Sequence, residues 1–205
     1  MIQKHLPLIF FFFLFWSCNT QKQFKNDQLG HRKEYLNSFL TNPRSPLDSA
    51  DLKNISFFET DKKWKKKTTF ILNTKETILQ IPTYSGITKP YRVYGYFTFL
   101  HDNKKVVMEV YQSAQKPENP MYKNHLFLPF KDETNDEETY GGGRYLDVLL
   151  SDIKNNALVL DFNKCYNPWC AYSEGYNCPV PPVANHLPFK ILAGEKKYTG
   201  KIKTK

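Results

Sequence analysis

Hydrophobic residues recur along this chain in three different rhythms. From Leu6 to Trp16 they form an almost unbroken run, after which Ser17-Cys18-Asn19-Thr20-Gln21 turns polar. A helix that crosses a bilayer needs ~20 apolar residues, and this run is far shorter. Behind Lys4 and His5 it reads instead as the core of an export signal peptide over residues 1–17. From Leu29 to Leu40 the apolar positions Leu29, Leu36, Phe39 and Leu40 keep a helical spacing, which predicts an amphipathic helix ended by Asn42-Pro43. Further on the period falls to two. Val107, Glu109 and Tyr111 alternate with Val106, Met108 and Val110, as on a strand with one inward face.

The same criteria predict further strands. Lys67–Asn73 and Glu76–Ile81 read as a hairpin around Thr74-Lys75, and Arg92–His101 with Lys104–Gln112 as a second hairpin turning at Asp102-Asn103. His125–Phe130, Ala157–Phe162, Leu187–Leu192 and Lys197–Lys203 are further expected strands, and Ser113–Asn124 is an expected loop. The result is a mainly β, single-domain β-sandwich or barrel with one N-terminal amphipathic helix, occupying residues 29–205. Residues 18–28, short, polar and lysine-rich, are expected to be a flexible tether. Composition agrees: 16 Phe and 13 Tyr favour strands, and 13 Pro punctuate loops.

A small residue and then cysteine at the end of the apolar run resembles the lipobox of bacterial lipoproteins. In that chemistry the Cys18 thiol takes a diacylglyceryl group and the leader is cut just before it. The implied partner is a membrane, held through lipid on Cys18, and the implied address is the bacterial cell envelope. Nucleic acid is an unlikely partner for an exported chain. The formal charge of +9 becomes +8 without Lys4, and a basic domain could bind anionic headgroups or acidic glycans. The densest basic run, Lys62-Lys63-Trp64-Lys65-Lys66-Lys67, has two readings. It is either a headgroup-facing patch with Trp64 at the interface or a charged edge strand that resists pairing, and the second is favoured.

The C-terminal half carries the candidate chemistry. Gly141-Gly142-Gly143 permits positive φ and could offer successive N–H groups to an anion, with Arg144 adding a guanidinium fork. From spacing alone the favoured reading is a tight loop with Arg144 paired to Asp132, Asp136 or Asp147. The acidic stretch Asp132 to Glu138 lacks the spacing of a calcium loop and reads as a solvated turn. Cys165, Cys170, Cys178 and His186 allow three outcomes: a Cys170–Cys178 disulfide, a zinc site with poor spacing, or a nucleophilic thiol with His186 as base. The expectation adopted is the disulfide and no metal; the sequence does not define a cofactor.

Two long motifs go beyond composition. Asp132-Glu133-Thr134 runs into Glu138-Thr139-Tyr140-Gly141-Gly142-Gly143-Arg144-Tyr145-Leu146-Asp147, and a second block extends from Leu160-Asp161-Phe162-Asn163 through Tyr166-Asn167-Pro168 and Cys170-Ala171-Tyr172 to Ala193-Gly194-Glu195. With Ser45-Pro46-Leu47 upstream, the chain resembles the bacterial family catalogued as domain of unknown function 1684, from about Arg32 to the C-terminus. It departs from that pattern at Cys165, where a small residue is usual, and in the 62–67 lysine run. The resemblance implies a shared structural unit and no particular reaction. Within it Gly141, Gly142, Gly143, Arg144, Asp147, Asp161, Asn163, Tyr166 and Asn167, with Tyr172, are expected around a polar pocket. The function expected first is a module that binds a small polar or anionic ligand. The alternatives are an envelope hydrolase, with Asp147 or Asp161 as base and Arg144 stabilising negative charge, and a structural lipoprotein without a ligand.

Overall fold

The computed structural model describes residues 9–115 and 123–204, with side chains described from Thr20 onward. Residues 1–8 of the expected leader, and 116–122 of the expected 113–124 loop, lie outside the described residues.

Seven strands form one antiparallel sheet that curls into a half-barrel, with one N-terminal helix. The helix α1 is Ile9–Thr41 and the strands are β1 Lys65–Leu72, β2 Ile78–Pro82, β3 Thr88–His101, β4 Lys104–Ser113, β5 His125–Phe130, β6 Arg144–Leu149 and β7 Ala157–Asp161. Their order is β6-β5-β4-β3-β1-β7, with β2 alongside β3. The β3–β4 hairpin turns where the sequence predicted it. Asp102 and Asn103 both take positive φ, 48° and 60°, as a two-residue turn matched to strand twist requires.

The other expected hairpin does not form. β3 is 14 residues long and pairs both earlier strands in succession, Leu72 against Gly95 and then Ile78 against Arg92. A register shift between Val93 and Gly95 marks a bulge at the change of partner. Gly95 is needed there, because a Cβ would lie 2.5 Å from the Phe70 ring and 2.6 Å from the Ile71 carbonyl oxygen. β1 lies inside the sheet between β3 and β7, and Lys65, Lys66 and Lys67 pair with β7, so the lysine run is not on an edge strand. Trp64 is buried and stacks on His101, with ring centroids 5.7 Å apart, and so does not face an interface.

One face of the sheet makes the core. Phe97, Phe99, Met108, Val110, Leu126, Leu128, Phe130, Leu146, Val148 and Leu160 pack there with Leu187, Ile191 and Ala193 from the C-terminal region. That region was expected to supply two strands and supplies neither. The carbonyls of Ile191 and Ala193 accept from Arg144 instead of a neighbouring strand. The 197–203 segment is held by single contacts, such as the Thr199 amide on the Asn54 carbonyl.

α1 runs straight through residues 19–28, where a flexible tether was expected. Phe24, Gln28 and Phe39 are buried against the body. Of the four apolar residues used to predict the helix, Phe39 is buried and Leu36 half-buried, whereas Leu29 and Leu40 are exposed. The inward face is marked as much by bonded polar residues as by hydrocarbon. Gln28 Nε2 donates to Asp161 at 2.7 Å and Tyr35 Oη to Glu195 at 2.8 Å. No helix among the described residues is long and apolar enough to cross a membrane.

Candidate functional site

β6 divides the expected pocket in two. Its side chains alternate between faces, so Arg144, Leu146 and Val148 point to the core while Tyr145 and Asp147 point the other way. Arg144 and Asp147 therefore lie on opposite faces of the sheet and do not meet at one substrate atom.

Arg144 is 0% exposed. Its Nη2 pairs with Asp132 at 2.7 Å and donates to the Ile191 carbonyl at 2.9 Å, and Nη1 donates to the Ala193 carbonyl at 2.5 Å. Asp132 Oδ1 in turn accepts from the Thr134 amide and hydroxyl and from the Ile191 amide. The guanidinium thus ties together β6, the acidic turn and the C-terminal segment. It offers nothing to an outside anion. The glycines before it serve packing. A Cβ on Gly141 would strike the Asp136 carboxylate, and one on Gly143, at φ 89°, would stand 2.6 Å from the Phe130 carbonyl oxygen. The Gly143 amide donates to the Tyr140 carbonyl.

Asp161, Asn163 and Asn167 are buried too. Asp161 accepts from Gln28 and from the Asn163 amide and side chain, and Asn163 spans to the Asp61 backbone, so the pair fixes α1 against β7. The Asn167 amide donates to Glu195 Oε2 at 2.9 Å. Glu195 is 0% exposed and also faces two phenols: Tyr35 Oη at 2.8 Å from Oε2 and Tyr172 Oη at 2.6 Å from Oε1. The two phenol oxygens are themselves 2.9 Å apart. Three contacts close this ring of oxygens, but the phenols bring only two protons, and a proton on Glu195 completes it. Burial, opposed by these hydrogen bonds, likewise pushes the Glu195 carboxyl up to about 7.

The opposite face is different. Asp147 is exposed, with 44% of its side chain open to solvent. Its Oδ1 lies 3.1 Å from His125 Nε2 on β5, and its Oδ2 accepts from Tyr166 Oη at 2.9 Å. Burial, and then the charge of Asp147, push the Tyr91 phenol up to about 12. The register explains the meeting: Asp147 faces Phe127 across β5–β6, which puts His125 and Phe127 on the Asp147 face and Leu126 and Leu128 in the core. Around the carboxylate stand rings. Tyr91 stacks on Phe127 at 5.6 Å, Phe127 meets Tyr145 edge-on at 4.6 Å, and Tyr145 meets Tyr166 edge-on at 6.0 Å. Trp169 and Tyr176 extend the cluster. A Cys170–Cys178 disulfide clips the loop that carries them, and the Tyr145 phenol bonds the Pro179 carbonyl just beyond it.

Of the nine expected ligand residues, only Asp147 and Tyr166 meet on this face. His125, Tyr91 and Phe127 were missed by sequence reasoning. The available signal was the alternation of His125-Leu126-Phe127-Leu128, which separates 125 and 127 from the core face, but it needs β6 to be recognised as the neighbour. The other cysteine candidates separate: Cys165 is buried in the core, where burial pushes its thiol up to about 11, far from a reactive thiolate. His186 Nε2 contacts the Pro181 carbonyl. No group of acidic, histidine or cysteine side chains able to hold a metal occurs among the described residues.

The fold recurs in known structures. An uncharacterized protein of Haloarcula marismortui, solved by solution NMR, is similar with a TM-score of 0.67 and 25% sequence identity, covering 87% of this chain and 96% of that one. No curated protein matches. Residues 50–196 match the family described as Protein of unknown function (DUF1684), a span that holds β1 to β7, the Arg144–Asp132 pair and Asp147 together, and the chain belongs to that family.

Proposed function

We propose that this chain is an exported bacterial envelope protein, anchored through lipid on Cys18, whose domain binds a small polar ligand at the Asp147 face. The anchor rests on the apolar run Leu6 to Trp16 followed by Ser17-Cys18. The Cys170–Cys178 bond supports it, since structural disulfides persist in oxidising compartments.

The binding reading is carried by one observation. A solvent-open carboxylate is held in place by His125 and Tyr166 and is flanked by aromatic rings. Oriented acceptors beside apolar rings suit a ligand with hydroxyl or ammonium donors on a compact hydrocarbon frame, such as a saccharide. The anionic ligand loses ground because Arg144 is already engaged.

The test is a titration of the full chain with small neutral saccharides, followed by the fluorescence of Trp169 and by NMR. Asp147→Asn is expected to weaken saturable binding ~10-fold or more, as loss of a charged hydrogen-bond acceptor does, while leaving the melting temperature nearly unchanged. Equal binding by parent and Asp147→Asn would sink the site. Mass spectrometry of membrane-extracted protein checks the anchor: a diacylglyceryl adduct on Cys18 is expected, and its absence would refute it.

A further inference from the structure

The lysine run, having lost its role as an edge guard, sits beside residues 20–27 of α1. An open cleft of about 410 Å³ lies between the helix and β1, with Thr20, Gln23 and Phe24 on one side and Lys62, Lys65 and Lys67 on the other. A second, of about 530 Å³, is lined by Gln21 and Phe58 with Lys62, Lys63 and Lys196. The ammonium groups of Lys62 and Lys65 stand over the Phe24 ring at 5.8 and 5.6 Å, so the ring is covered by two residues that are themselves exposed. Three carboxylates, Asp27, Glu59 and Asp61, share the clefts. They do not neutralise the patch. Lys63 pairs with Asp61 at 3.3 Å and Lys65 reaches Asp161 only at 4.0 Å, whereas Lys62, Lys67 and Lys196 have no carboxylate partner among the described residues.

Position gives this charge a direction. Thr20 and Gln21 are two and three residues past Cys18 on a continuous helix, ~5 Å along its axis at ~1.5 Å per residue. That is within the ~8–10 Å over which an anionic surface attracts lysines at ordinary salt.

We propose that this basic face docks on anionic phospholipid headgroups and sets the domain's orientation against the membrane that holds its N-terminus. The orientation rests on the anchor proposed above; the docking itself does not. With the anchored end at the bilayer, Lys62, Lys67 and Lys196 meet headgroup phosphates, and the Asp147 face belongs to a separate surface built from β5, β6 and the disulfide loop.

The experiment uses the full chain carrying Cys18→Ser, which cannot be lipidated. It is sedimented with phosphatidylcholine vesicles alone and with vesicles containing about one third phosphatidylglycerol. Binding ~100-fold stronger to the anionic vesicles, falling steeply with salt, is expected, at about fivefold per lysine. Lys62→Gln/Lys67→Gln/Lys196→Gln should remove most of that difference, and the matching arginine triple should keep it. Equal binding to both vesicle types, or a glutamine triple that binds like the parent, overturns the proposal. So does a charge-dependent affinity confined to polyanionic saccharide, which would make a glycan the occupant. The lipid adduct on Cys18 of the parent is weighed separately. Its absence with charge-dependent vesicle binding intact overturns the anchor alone, and its presence without that binding overturns the docking alone.

Discussion

Arg144 and Asp147 belong to one six-residue strand, and the sequence makes both look like ligand residues in a single motif. Their environments are opposites. Arg144 is wholly buried, and both of its Nη atoms donate to groups of the protein itself. Asp147 is open to water, with His125 and Tyr166 within hydrogen-bond reach of its two oxygens. The two-residue period of a strand is enough to produce this: a spacing of three always changes face. Buried charge with satisfied partners organises a fold, whereas a positioned charge at the surface remains available to something else.

The contrast is broken most easily at the buried end. Arg144→Met leaves the buried Asp132 carboxylate without its cationic partner, and breaking a buried pair in this way typically costs ~3–5 kcal/mol. Denaturant unfolding should show a loss of that size. Asp132→Asn added to Arg144→Met should recover part of it, because the uncompensated charge is gone. A loss under ~1 kcal/mol coupled to loss of ligand binding would return Arg144 to the site and dissolve the distinction.

Glu195 sharpens the same comparison through pH. It lies on the buried side, its carbonyl also faces Arg144 Nη1 at 3.3 Å, and its carboxyl sits at about 7 where an unfolded glutamate titrates near 4.5. The raised value means that the folded state holds a proton which the unfolded state has released. Stability from this group is full below pH ~4.5, declines as pH rises, and is gone just above 7, a total of ~3 kcal/mol. Glu195→Gln keeps a neutral group of the same shape and should flatten this part of the profile of unfolding free energy against pH. A variant profile as steep as the parent's would show that the slope comes from elsewhere.

Much of the scaffold was legible. The β3–β4 hairpin and β5 follow from alternation and turn residues, which are local signals. The β1–β2 pairing failed because nothing local tells two short strands that one long strand will take them both. β6 was hidden behind three glycines and an acidic turn, although Tyr145-Leu146-Asp147-Val148 alternates clearly once its neighbour is known. The inward face of α1 was misplaced because Gln28 and Tyr35 are polar, and their buried partners Asp161 and Glu195 are more than 130 residues away. The site suffered for the same reason. Arg144, Asp161, Asn163 and Asn167 are polar residues in dense motifs, but whether a polar residue bonds inward or faces water is decided by tertiary partners. His125 stood outside those motifs and reaches Asp147 only through the β5–β6 register.

The smallest expected effect lies at Tyr166. Tyr166→Phe removes one hydrogen bond to Asp147 and keeps the ring, whose contacts with Tyr145 and Tyr35 at 6.0 and 5.8 Å need no hydroxyl. The paired backbone bonds between Tyr145 and Tyr166 are untouched. Asp147 remains near His125, and its exposed oxygens can take water in place of the phenol. Such a loss costs ~0.5–1.5 kcal/mol at most, against several for Arg144→Met. Saccharide affinity should fall less than in Asp147→Asn, because the carboxylate is loosened and not removed. Thermal unfolding and titration of the two variants side by side decide the matter. If Tyr166→Phe destabilises the protein as much as Arg144→Met, the carboxylate on the outer face is as structural as the guanidinium on the inner one, and the two faces of β6 do not differ in kind.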